Sequence, residues 1–155
     1  MGTNYWANSG ADMREFVEYV NHPNFHACWD TGHANCEGSQ YDDIVTLGDE
    51  LYAIHYNDNM GADTHELPYC GTLDNDEVMM ALVEINYSGY FTFEVDGNSR
   101  AVRRWQGPAD LPIFDEVYPD ISPILSVGKF SRFEQEVLLY QIGEYLLSKY
   151  DLLAK

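Results

Sequence analysis

The chain has 155 residues, 45% apolar and 14% aromatic, enough for one domain with a real core. It carries 26 Asp and Glu against 8 Lys and Arg, and between Glu15 and Ser99 there are 17 acidic residues and no Lys or Arg. That balance argues against a nucleic-acid partner, because DNA is held mainly by phosphate neutralisation with Lys and Arg, and no apolar run is long enough for a membrane span. In chain order, residues 12–21 show a helical spacing of Met13, Phe16, Val17 and Val20, with Ser9 or Asp12 as cap and Pro23 as stop. Residues 25–30 (FHACWD) are expected to form a short buried strand ending on an acid, and 41–47 a short helix. Residues 51–56 (LYAIHY) read as a second strand with His55 near its end, followed by a polar loop over 57–73. Asp74 caps a helix to about Ile85 whose apolar side is Val78, Met79, Leu82 and Val83. Residues 90–95 (YFTFEV) read as a third strand. Residues 97–128 hold four of the six prolines and read as an extended loop region. The longest helix spans 130–150, with Phe133, Val137, Leu138, Ile142, Tyr145 and Leu146 as its buried stripe.

Strands alternating with helices imply a parallel α/β sheet, and such sheets place ligands at the carboxyl ends of their strands. Asp30, His55 and Glu94 each sit at or near such an end. Asp30 is read two ways, as a helix cap or turn former and as a ligand, and His33 lies in the same turn. Asp63 and His65 add another acid and imidazole in the loop after the second strand. A carboxylate buried at Glu94 needs a cation or a shared proton. Oxygen and imidazole ligands suit Mn, Mg, Co, Fe or Zn. His22 and His26 flank a helix stop and a strand start and read as structural. The three cysteines, Cys28, Cys36 and Cys70, form no CxxC pair. With no basic-then-apolar leader at the N-terminus, reduced thiols and a cytoplasmic setting are expected.

Five runs occur in order: 28–34 (CWDTGHA), 55–58 (HYND), 61–65 (GADTH), 71–74 (GTLD) and 86–94 (NYSGYFTFE). Together they resemble the carboxyl-terminal half of the sugar phosphate isomerase/epimerase superfamily, the xylose-isomerase-like TIM barrels, which also include endonuclease IV. The resemblance covers about residues 10–96, and the last helix fits the closing helix of such a barrel. It implies a single partial (β/α)8 domain over 1–155, truncated, and lacking the first metal-binding Glu of the family. It also implies a divalent metal held by Asp30, His55 and Glu94, with Glu94 as one of two proton-transfer glutamates and His33 as a substrate contact. In the endonuclease branch, the equivalents of His33, Asp63 and His65 hold an additional metal. The expected function is isomerisation or epimerisation of a small sugar or polyol. The alternatives are an endonuclease-IV-like phosphodiesterase acting on abasic DNA and a non-catalytic sugar-binding barrel. Arg100, Arg103 and Arg104 are the candidate contacts to a phosphate or substrate, weighed against a surface patch that pairs with the many acids. An exposed barrel edge beside 25–29 is expected to favour self-association.

Overall fold

A computed structural model of the protein describes residues 7–96, 105–108, 110–111 and 132–153. Among these, α1 (Gly10–Val20), β1 (Ala27–Asp30), α2 (Thr31–Glu37), α3 (Tyr41–Leu47), a 3-10 turn (Gly48–Glu50), β2 (Leu51–Tyr56), α4 (Asn75–Glu84), β3 (Tyr90–Phe93) and α5 (Arg132–Lys149) follow one another. The three strands form one parallel sheet in the order β1-β2-β3. This is the βα alternation of part of a (β/α)8 barrel, as expected. No described helix is long and apolar enough to cross a membrane.

Local chemistry sets the helix ends. Ser9 Oγ accepts from the Asp12 N–H at 3.1 Å, and Asn21 closes α1 at φ 43, a left-handed conformation that Asn tolerates. Asp43 Oδ1 accepts from the Gly10 N–H at 2.8 Å, tying α1 to α3. Asp74 accepts from the Glu77 N–H at 3.0 Å and caps α4.

The core lies between the sheet and the helices. Ile54 and Tyr56 of β2 are fully buried, and Val78, Met79 and Leu82 of α4 and Leu138, Ile142 and Leu146 of α5 pack with them. Each such side chain is worth roughly 1.5–3 kcal/mol of burial. Two expected core positions are exposed instead: Val83 at 43% and Phe133 at 77%. On α4 the buried face runs from Ala81 through Val78 and Leu82 to Met79 at its edge, with Val83 beyond that edge, and on α5 it runs through Gln135, Leu138, Ile142 and Leu146. Helical spacing places Val83 and Phe133 away from those faces.

Lys149 Nζ, at the end of α5, donates to Asp76 Oδ1 at 2.8 Å, and Tyr150 Oη donates to the same oxygen at 2.5 Å. The Lys149 bond first, then that of Tyr150, lower the Asp76 pKa. A depressed folded pKa contributes stability above the ordinary carboxylate value that is lost as pH falls through the folded value. Asp76→Asn is therefore expected to cost less than about 1 kcal/mol at neutral pH, since the pair is half exposed. In urea melts near pH 2 the difference from the wild type should vanish.

Candidate active site

Strand register brings the site together. Asp30 pairs with His55 across β1 and β2, and His55 pairs with Thr92 across β2 and β3. Side chains alternate between the faces of a sheet, so Asp30, His55 and Thr92 share one face while Ile54 and Tyr56 point into the core. Glu94 lies two residues beyond Thr92 and rejoins the first face. Its N–H donates to the Tyr56 carbonyl at 3.2 Å, which extends the ladder past β3. His55 Nδ1 then stands 2.7 Å from Glu94 Oε2 and 4.0 Å from Asp30 Oδ2. One ligand atom from each of Asp30, His55 and Glu94 falls within 4.8 Å of the others.

The two oxygens of Asp30 are in different surroundings. Oδ1 accepts from the Gly32 and His33 N–H groups at 2.9 and 3.0 Å, capping α2, and from Asn57 Nδ2 at 3.1 Å. Oδ2 is buried with no hydrogen-bond partner among the described residues. Cap and ligand readings of Asp30 thus fall on separate atoms. A buried carboxylate oxygen without a donor is costly, and a divalent cation beside His55 and Glu94 would remove that cost. No cysteine joins this group of ligand atoms among the described residues. Burial first, then the Asp30 charge, raises the Cys28 pKa, and burial followed by the Asp63 charge raises that of Cys36. The residues present therefore fit a hard or borderline divalent ion.

On that fit, substitution separates the two roles. Asp30→Asn keeps an acceptor for the α2 N–H groups and removes the charge, whereas Asp30→Ala removes both. Each is expected to weaken Mn2+ binding about 100-fold, followed by the paramagnetic resonance of the free ion. Only Asp30→Ala should also lose about 1–2 kcal/mol of stability in chelator, the worth of a helix cap.

A second group lies beside the first. Asp63 Oδ2 stands 3.3 Å from His33 Nε2, and Asp63 Oδ1 stands 2.9 Å from His65 Nε2. His33, Asp63 and His65 form a second candidate cation cluster. His65 Nδ1 is 3.1 Å from the Glu94 carbonyl, and the Asp96 N–H donates to the His65 carbonyl, so this loop is fastened to the end of β3. Burial works to lower the His65 pKa, but the bond to the Glu94 carbonyl and the charges of Asp63, Glu94 and Asp30 outweigh it and leave it raised. His33 Nδ1 lies 3.6 Å from Asp30 Oδ2 and connects the groups. His22 and His26 keep to structural work: His22 Nδ1 accepts from the Asn24 N–H, and His26 bonds Glu50 and the Pro23 carbonyl. Arg100, Arg103 and Arg104 lie outside the described residues.

The expected polar loop after β2 begins instead as buried structure. Asn57, Asp58 and Asn59 are each 0% exposed. Thr31 Oγ1 donates to the Asn57 carbonyl at 2.7 Å and accepts from the Asn57 N–H at 3.0 Å. Asn59 Nδ2 donates to the Gly32 carbonyl, and Asn59 Oδ1 accepts from Asn35 Nδ2 and the Gly61 N–H. Three consecutive short polar residues directly after an apolar strand are the signal for such a network, since short polar side chains reach neighbouring buried polar groups. A cleft of about 710 Å3 opens beside β1, with Met13, Cys28, Asp30, His33 and Asp63 in its wall.

Parallel strands alternating with helices, with acids and an imidazole at their carboxyl ends, define part of a barrel-type α/β fold with a candidate cation site at the strand ends. The sequence model of the xylose isomerase-like TIM barrel family matches residues 1–111, and the chain belongs to that family. A protein of Sinorhizobium fredii, uncharacterised and called y4fM, is 39% identical over 69 residues, covering 43% of this chain and 22% of that protein. Among solved structures, a D-psicose 3-epimerase in the presence of D-fructose superposes with a TM-score of 0.62 at 25% identity, over 93% of this chain and 45% of that one. The D-psicose 3-epimerase of Clostridium cellulolyticum H10 with D-tagatose gives 0.61 at 24% identity, over 96% of this chain and 45% of that one. The D-allulose 3-epimerase of Methylomonas sp. in complex with D-allulose gives 0.61 at 24% identity, over 96% and 44%. The chain thus spans less than half the length of these proteins.

Proposed function

We propose that the protein works as a divalent-metal-dependent epimerase or isomerase of a small ketose or polyol. The observation that carries this reading is the convergence of Asp30, His55 and Glu94 at adjacent parallel strand ends around the undonated Oδ2 of Asp30. The solved sugar 3-epimerases of the same fold support it. Asp30, His55 and Glu94 would hold the ion, which supplies Lewis acidity to the carbonyl and hydroxyl oxygens of the sugar. Glu94 takes a proton from, or returns one to, the carbon beside the carbonyl. His33, half exposed beside Asp30, contacts a substrate hydroxyl. The carboxylate-rich rim disfavours a phosphorylated sugar, because no Lys or Arg occurs between Glu15 and Ser99 and phosphate recognition draws on such cations.

A second reading, a phosphodiesterase acting on abasic DNA, is favoured by one observation, the His33–Asp63–His65 cluster. The test is made on the intact protein with added Mn2+ or Zn2+. Interconversion of D-fructose, D-psicose and D-tagatose is followed by chromatography, and nicking of an abasic duplex by gel. Ketose interconversion without nicking is the expected outcome. Nicking alone replaces the proposal with the second reading, and sugar binding without turnover reduces the protein to a binding barrel.

A further inference from the structure

We infer that Asn57 is a positioning residue for Asp30, an inference that rests on the metal-site reading above and deepens it. Asn57 is the first residue after β2 and is wholly buried. Its main chain is already held, because Thr31 Oγ1 bonds both its N–H and its carbonyl. Its side chain is therefore free of any duty to the backbone. It donates from Nδ2 to Asp30 Oδ1 at 3.1 Å, while its own Oδ1 is buried without a partner among the described residues. An apolar side chain of similar volume would avoid the cost of that unmatched oxygen. An amide kept at such a cost marks a function other than packing.

The function follows from counting acceptor positions. The Gly32 and His33 N–H groups come to Asp30 Oδ1 from α2, and Asn57 Nδ2 comes to it from the segment that follows β2. Three donors from two elements fill Oδ1 and fix the plane of the carboxylate. Oδ2 is thereby turned toward His55, with no donor of its own. Without the Asn57 donor, the two N–H groups of α2 alone hold Oδ1, both from one element, and the carboxylate plane is free to rock about the Cβ–Cγ bond, which swings Oδ2 off the direction of His55. Gly32 belongs to the same device. A Cβ there would meet Asn57 Oδ1 at 1.8 Å, so glycine is what lets the amide lie close against the turn that follows Asp30.

The test uses Asn57→Ala and Asn57→Leu in the intact protein, the second keeping the volume should the first fail to fold. Two quantities are read: the Kd for Mn2+, and the amide resonances of Gly32 and His33 in the metal-free protein. The expected result is a Kd about tenfold weaker in each variant, within the range for partners of metal ligands. The melting temperature of Asn57→Leu in chelator should hold steady, and in both variants the Gly32 and His33 amide signals should shift as the Asp30 carboxylate turns. A wild-type Kd in variants that fold overturns the inference. If the wild-type protein binds no Mn2+, the metal reading fails by itself, and the amide signals decide alone: shifted signals uphold positioning of Asp30 by Asn57, and unchanged signals overturn it.

Discussion

Glu94→Gln is expected to lower the turnover of a ketose by about 100- to 10,000-fold at saturating Mn2+, the usual contribution of a general acid or base. Glutamine preserves the size of the side chain and one acceptor oxygen while removing the charge and the exchangeable proton. As at Asp30, the two oxygens of Glu94 face different neighbours. Oε2 stands 2.7 Å from His55 Nδ1, and Oε1 stands 4.0 Å from His65 Nδ1. The group is nearly half exposed, so a substrate carbon has access to it. Measuring kcat across a Mn2+ titration separates the two duties proposed for Glu94. Turnover that returns to the wild-type value at high Mn2+ would leave Glu94 as a ligand only. Turnover that stays low with the metal bound, together with loss of deuterium wash-in from heavy water, identifies proton transfer at this carboxylate.

The parts of the site that could be read from the residues are those that follow strand periodicity. Residues 51–56 form β2 with the expected bounds, because Ile54 and Tyr56 are buried on one face, Leu51 is buried at the start of the run, and β-favouring side chains fill it. With β2 placed, the strand-end positions of Asp30 and Glu94 follow from the parallel register. The third and first strands are shorter than expected, since Phe25 and His26 precede the ladder of β1 and Val95 passes beyond that of β3. The helix α2 was not expected. Its seven residues, TGHANCE, carry no apolar stripe and open on Thr and Gly. It exists because Asp30 Oδ1 satisfies two of its first N–H groups and because Gln40 Nε2 donates to the Thr31 carbonyl at 2.7 Å. Such tertiary bonds leave no period in the sequence. The burial of Asn57, Asp58 and Asn59 is hard to read for the same reason: Asn and Asp ordinarily mark solvated turns, and only the fold shows that the Asn57 side chain meets Asp30 while those of Asp58 and Asn59 meet buried main-chain groups.

Asp58 supplies the largest expected change in stability. Its Oδ1 accepts from the Asn59 and Leu73 N–H groups at 2.7 and 2.9 Å, and its Oδ2 accepts from the Gly71 N–H at 2.8 Å. Its own N–H and carbonyl pair with Glu66 in an antiparallel bridge. One side chain therefore closes the segment between β2 and α4, the same segment that carries Asp63 and His65. The approach is tight: a Cβ on Gly71 would fall 2.1 Å from the Asn59 carbonyl oxygen and 2.2 Å from Asp58 Oδ1. Asp58→Ala strands three buried donors and is expected to cost about 3–5 kcal/mol in denaturant melts, at about 1–3 kcal/mol for each unsatisfied group without full additivity. Asp58→Asn keeps the acceptor for Asn59 and Leu73 but turns an NH2 toward the Gly71 N–H, and should cost about 1–3 kcal/mol. The pH dependence has a definite sign. Burial raises the Asp58 pKa by more than the three N–H donors, from Leu73, Gly71 and Asn59, lower it. A raised folded pKa contributes stability that is present in full below the unfolded value and is lost as pH rises through the folded one. Relative to Asp58→Asn, the wild-type protein should therefore gain stability on acidification from above its raised pKa toward the ordinary aspartate value of 3.8. A gap that narrows over that interval would mean that the charged carboxylate, held by its three N–H groups, is the favoured form in the folded protein.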